Sequence, residues 1–140
     1  GFEHYEISTF ARPGRRCRHN LLCWTGGNWL ALGPGAAGHY GGVRRHNAPD
    51  MDTYLNSSGP APVAETERLD PDARFGEQLM LRLRLLEGAP REWLEPRLDA
   101  RRRATIREYC AQNLLILTPT HLRLTRRGLL LADPVMADLL

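Results

Sequence analysis

Phe75, Leu79, Leu83 and Leu86 recur at three- and four-residue spacing, which puts them on one face of a helix and demands a partner to bury that face. Asp70 stands just before Pro71, where a carboxylate can accept the free amides of a first turn and proline loses no hydrogen bond. Gly88 closes the segment at its other end, with Arg82 and Arg84 toward the helix edges or outer face. A second helix is expected from the Asp99 cap through Gln112, with Ile106, Tyr109 and Cys110 facing inward and Asn113 in the left-handed conformation that ends it. Between the two, Pro90 starts a short segment containing Trp93 and Leu94. Leu114–Leu117 and Leu122–Leu124 flank Thr118-Pro119-Thr120-His121, which predicts a hairpin. Thr125 then caps a helix through leucines 129–131, which Asp133-Pro134 kinks or restarts. Helix, helix, hairpin, helix is a winged-helix-like order.

The amino-terminal part has a different texture. Phe2–Ser8 alternates, so a half-buried strand would turn His4, Glu6 and Ser8 toward a polar interior or a ligand. Ala11–Gly14 predicts a turn, and Arg12, Arg15, Arg16 and Arg18 form either a solvated loop or a clamp for an acidic ligand. Leu30–Leu32 is apolar and runs straight into Gly33-Pro34-Gly35-Ala36-Ala37-Gly38, which predicts a buried strand ending in a tight loop. Without a Cβ, glycines there let backbone approach a ligand closely, or simply allow a turn. The run is not the dinucleotide fingerprint, and no helical stretch follows it. A short strand is expected over Tyr40–Arg45 and a helical turn over Asp52–Asn56. Ser57–Pro62 has linker composition, which divides the chain into residues 1–59 and 60–140.

With 140 residues the chain can bury one ordinary core, yet it begins at Gly1 already in strand-like sequence and reads as a piece of a longer protein. All nineteen basic residues are arginine, and the net charge of +3 makes little case for nucleic acid; Arg101–Arg103 and Arg126-Arg127 are either solvated faces or phosphate contacts. No apolar run approaches transmembrane length, and three irregularly spaced cysteines fit free thiols in a cytoplasmic chain. Cys17, His19 and Cys23 are spaced C-x-H-x3-C, which matches neither zinc pairs nor a cluster motif. His19 is then either a hydrogen-bonded structural histidine or a single axial ligand to haem iron.

Taken in order, YEIS-x-FARPG, CRHN-x-x-C-W, G-G-x-W-L-x-L-G-P-G-A, the linker, LRLRLLEG and LRLTRRG resemble the carboxyl-terminal part of the radical SAM heme chaperones of the HemW type. The resemblance covers nearly the whole chain. It implies an α/β plus α+β architecture: the last strands of a partial radical SAM barrel (residues 1–59), then a helical, winged-helix-like HemN-type domain covering its mouth (residues 60–140). It also implies a [4Fe–4S] cluster and S-adenosylmethionine in the longer protein. The cluster motif C-x3-C-x2-C is absent, so this stretch alone is expected neither to bind the cluster nor to cleave S-adenosylmethionine. The resemblance makes Gly35, Ala36 and Ala37 an edge of the S-adenosylmethionine pocket. It makes His19, Asn20 and Trp24 haem-binding, with His19 on the iron. They stand in a family signature H-N-x-x-Y-W, whose tyrosine is replaced here by Cys23. The implied partners are haem, haem-acceptor proteins (membrane-associated ones among them) and the remaining barrel half, with no nucleic acid. Delivery of haem is the expected function; radical decarboxylation of coproporphyrinogen III, in an oxygen-independent oxidase, is the alternative.

Overall fold

The computed structural model describes all 140 residues. In chain order the elements are β1 (Glu3–Glu6), β2 (Thr9–Ala11), α1 (Arg18–Trp24), β3 (Ala37–Tyr40), β4 (Val43–Asn47), α2 (Met51–Leu55) and β5 (Val63–Glu67). There follow α3 (Pro71–Leu83), β6 (Ala89–Pro90), α4 (Arg91–Leu94), α5 (Ala100–Ala111), β7 (Leu115–Leu117), β8 (His121–Leu124) and α6 (Ala132–Ala137). Short 3-10 segments cover Glu95–Arg97 and Gly128–Leu131.

The core belongs to the later half. Phe75, Leu79 and Leu83 of α3 meet Leu94, Ile106, the hairpin residues Leu115, Leu122 and Leu124, and Val135, Met136 and Leu139 near the chain end. The amphipathic stripe thus finds its partner in the hairpin and the two later helices, which form the winged-helix-like unit. Its sheet has the order β6-β8-β7, all antiparallel. Asp70 caps α3 by accepting from the amides of Asp72 and Ala73 at 2.9 Å, and Asp99 caps α5 through the Arg102 amide at 2.7 Å. Asn113 takes φ +57° at the end of α5. Asp133-Pro134 lies in the first turn of α6 and so restarts a helix after the 3-10 segment.

Tyr109 donates to Asp138 and fastens α5 to the end of α6. The nearby carboxylate, helped by burial, pushes the phenol up to about 12. Because the neutral form is favoured, this contact is complete below the ordinary tyrosine value near 10 and is lost as pH rises through about 12. Alkaline titration followed by phenolate absorbance is expected to show a late step that Tyr109→Phe removes; a titration unchanged by the substitution contradicts the contact.

Before α3, β1 and β2 form a hairpin, and β3-β4-β5 form a second antiparallel sheet. The parallel pairing of a barrel is not made among these residues. Ser57–Pro62 is a loop, but β5 beyond it returns to β4, pairing Arg44 with Glu67 and His46 with Glu65. The sheet is therefore continuous across residues 59 and 60.

Three expectations are corrected. First, α3 ends at Leu83 and not at Gly88, because the Ile7 amide donates to the Arg84 carbonyl (3.0 Å) and the Leu86 amide to the Tyr5 carbonyl (3.1 Å). Those bonds to the β1 hairpin compete with further helix. Second, Leu30–Leu32 is neither strand nor buried: Leu30 is 76% exposed and Leu32 84%. The ladder at this edge stops at the single bridge between Trp29 and His39, so the next residues have no strand to pair with. Third, Arg82, Arg84 and Arg102 do not lie on solvated faces. Arg82 stacks on Trp93, Arg84 on Trp24, and Arg102 is 1% exposed.

Candidate functional site: a histidine-bearing helix and a glycine loop

Helix α1 has seven residues, no side-chain cap and no fully buried residue. A helix so short has no stability of its own in water, so its place is set by what it rests on. At its amino end the Cys17 amide donates to the Tyr5 hydroxyl at 3.2 Å. Toward its carboxyl end, the Arg84 guanidinium lies 4.5 Å from the Trp24 ring centroid.

His19 and Cys23 are four residues apart and share a face, with Nε2 and Sγ 3.8 Å from each other. Among the five histidines of the chain, only His19 is exposed. His4 is bonded to the Ile7 carbonyl, His39 to the Gly27 carbonyl, and His121 faces Glu87. Burial, with Cys17 nearby, pushes the Cys23 thiol up. That disfavours the free thiolate, the form in which a cysteine binds metal, and makes the imidazole the better-placed donor on this face. Asn20 is half-buried beside it.

Trp24 has a second peculiarity: its indole N–H is buried without an acceptor. Arg84 above it donates through Nε (3.1 Å) and Nη2 (2.8 Å) to one oxygen of Glu6, which is 0% exposed. The other carboxylate oxygen accepts from the Ser8 amide and hydroxyl at 3.1 Å and from the Thr9 hydroxyl at 2.6 Å. Burial pushes the Glu6 carboxyl up, but the bonds from Thr9, Ser8 and Arg84 outweigh it and hold it below the usual glutamate range.

The glycine loop is a separate place, and no hydrogen bond joins it to α1. Gly33 and Gly35 have φ of +105° and +66°, conformations open to a residue without Cβ. The loop is fixed from behind. Buried Asn47 donates to the carbonyls of Gly33 (2.9 Å) and Ala31 (3.3 Å), the Trp29 indole to that of Ala37 (3.0 Å), and the Asn47 amide to that of Ala36 (2.9 Å). The Gly35 amide donates to the Ala48 carbonyl, and the Gly33 amide to the Tyr54 hydroxyl. Gly35 and Ala37 stay exposed and Ala36 half-buried. Beside the loop runs an open groove of about 440 Å³, lined by Leu30, Leu32, Tyr40, Val43, Tyr54 and Val63 among others. Asn47 and Tyr54 escaped the sequence analysis; the one hint was an asparagine closing a strand, where it is disfavoured unless its amide has work to do.

No group of three or more His, Cys, Asp or Glu side chains could hold a metal ion, and Cys17, Cys23 and Cys110 are all free. These residues do not fit an iron–sulfur cluster. An exposed imidazole does fit haem iron, which needs only one or two protein ligands.

Residues 69–131 match the family model of the HemN C-terminal domain. The fold follows that of the solved Escherichia coli coproporphyrinogen III oxidase (HemN), described as a radical SAM enzyme, with a TM-score of 0.74 over 99% of this chain and 37% of that one. At 14% identity this likeness establishes the fold alone: a HemN-like fold, with the winged-helix-like unit at its carboxyl end. Over its full length the chain is 42% identical to the heme chaperone HemW of Mycobacterium tuberculosis, covering 35% of that protein. It is 38% identical to the HemW of Synechocystis over 63% of this chain and 22% of that one. Identity is 29% to a mitochondrial radical S-adenosyl methionine domain-containing protein 1 of Danio rerio, over all of this chain and 35% of that one. The chain is thus similar over its full length to heme chaperones of the HemW type, and residues 69–131 carry a HemN C-terminal domain. It spans about a third of the length of the full-length matches.

Proposed function

We propose that this chain is the carboxyl-terminal part of a heme chaperone that binds haem on α1 and passes it to acceptor proteins. The observation that carries the reading is His19: the one exposed histidine, on a short helix whose far end is packed under Arg84. Its imidazole offers a ring nitrogen to haem iron, Asn20 and Trp24 flank the ligand, and haem is cargo rather than a resident group. The relatives' printed name supports the same reading. The oxidase alternative is supported by fold likeness at 14% identity and is the weaker of the two.

In the longer protein the [4Fe–4S] cluster is held elsewhere, since the cysteines here are not grouped for it. S-adenosylmethionine is proposed to lie along Gly35–Ala37, where a loop braced from behind leaves backbone free on its outer side. The apolar groove beside it is proposed to receive the remaining barrel, with residues 60–140 as the cover. No helix is long and apolar enough to cross a membrane, and the proposed location is the cytoplasm.

The test is a haem titration of the chain followed in the Soret region. The chain is expected to give a saturable band shift, and His19→Ala to weaken binding about tenfold or more, the scale on which metal sites respond to lost support. Equal spectrum and affinity in the variant would remove His19 from the site.

A further inference from the structure

Two neighbouring residues of the first hairpin, Tyr5 and Glu6, are both buried, and each reaches one end of α1. Tyr5, 3% exposed, accepts from the amide of Cys17, just before the helix. Glu6 reaches the other end indirectly, through the guanidinium that covers Trp24. We propose that Arg84, clamped by buried Glu6, is the positioning residue for the haem-ligating helix, its flat guanidinium being the platform on which Trp24 seats α1. The inference rests on the reading of His19 as an iron ligand.

The physical case is one of freedom removed step by step. A free arginine side chain samples many rotamers, and a stacked contact gains little if the arginine must first be ordered. Here the ordering is done beforehand. The hydroxyls of Ser8 and Thr9 and the Ser8 amide fix one oxygen of Glu6, and the other oxygen takes two donors of the Arg84 fork. Arg84 itself sits at the end of α3, on the rim of the folded core. Its guanidinium carbon is held 4.5 Å from the centre of the indole, within the range at which a cation is attracted to the ring face. His19 lies five residues before Trp24 on the same seven-residue helix, so the tilt of the indole sets the aim of the imidazole. Lysine in place of Arg84 would keep the charge but neither the fork nor the flat face.

The experiment pairs hydrogen exchange with the haem titration on the full chain. In Arg84→Gln, amides of residues 18–24 are expected to exchange faster while those of α5 keep their protection. Haem affinity is expected to fall about tenfold, with the histidine-ligated Soret band still reached at saturation. Arg84→Lys is expected to behave like Arg84→Gln; wild-type behaviour of the lysine variant would overturn the platform. Wild-type haem affinity in Arg84→Gln, alongside weakened binding in His19→Ala, would overturn the positioning role and leave the haem reading standing. Wild-type binding in His19→Ala would overturn the haem reading, and this inference with it. Should Arg84→Gln lose protection in α5 as well, Glu6→Gln decides by the same two measurements, because it keeps the side-chain shape while loosening the clamp.

Discussion

Gly128→Ala is expected to cost the chain about 4 kcal/mol or more, a large part of the stability of an ordinary domain. A Cβ at this position would stand 1.9 Å from the carbonyl oxygen of Leu114 and 2.9 Å from its carbon. Both are backbone atoms, so no rotamer change relieves the clash. The Leu114 carbonyl is already committed, accepting from the Thr125 amide at 2.9 Å. The Thr125 hydroxyl in turn donates to the Asn113 carbonyl (2.7 Å) and accepts from the Gly128 amide (2.9 Å). Making room means moving Leu114 and the start of β7 just after it, where Leu114 and Leu115 are both buried in the core. Gly14 is the internal control: its φ is +72°, yet nothing lies within 4 Å of an added Cβ. Gly14→Ala is therefore expected to cost only the backbone term, about 1 kcal/mol. Denaturant unfolding of the two variants checks the contrast, and equal losses would contradict it.

Arg102→Met is expected to lower stability by about 2–3 kcal/mol and to change how stability responds to acid. The guanidinium donates through Nε to the Leu139 carbonyl at 2.9 Å, pairs with Asp72 at the start of α3 and with Asp99 at the start of α5, and stacks on Phe75. One side chain thus joins two helix starts to the end of the chain. Methionine keeps most of the apolar bulk but leaves a buried carbonyl without its donor. The cost stays below that of a fully interior pair, because both carboxylates face solvent and rehydrate when abandoned. The Asp72 carboxyl is held below its ordinary value by the Arg102 guanidinium, and the Asp99 carboxyl by the Arg102 amide and then its guanidinium. Carboxyls lowered in the folded state stabilise it above the ordinary aspartate value, about pH 4, and that contribution is lost as pH falls below it. Urea unfolding at neutral and acid pH is expected to show a smaller acid loss in Arg102→Met than in the unaltered chain. Equal neutral stability and an equal acid loss would contradict the assignment.

What could be read from the sequence was local. Asp70 and Asp99 announce their helices because a cap needs only its own next three residues, and Asn113 and the hairpin around Thr118–His121 are equally short-range. The end of α3 was not legible, because it is set by bonds to a strand some eighty residues earlier in the chain. The apolar triplet Leu30–Leu32 showed that something should cover it, but not what, and within this chain nothing does. The arginines misled for a physical reason: a guanidinium is usually a surface group, and only its partners, Glu6, Asp72, Asp99 and the rings of Trp24 and Trp93, make it an interior one. Of the candidate site, His19 and the glycine run stood out as residue types. The braces behind them, Asn47, Trp29, Tyr54 and the Glu6–Arg84 pair, are non-local; of these only Glu6 was marked as inward-facing, by the alternation of Phe2–Ser8 that turns it toward a polar interior.

The claim on which the functional account turns is that the imidazole of His19 reaches haem iron. Electron paramagnetic resonance of the ferric haem complex, made with chain carrying isotope-labelled histidine rings, reads that bond without reference to activity or affinity. Nitrogen hyperfine coupling from a protein imidazole is predicted in the unaltered chain and absent in His19→Ala; the same coupling persisting in His19→Ala would contradict the account.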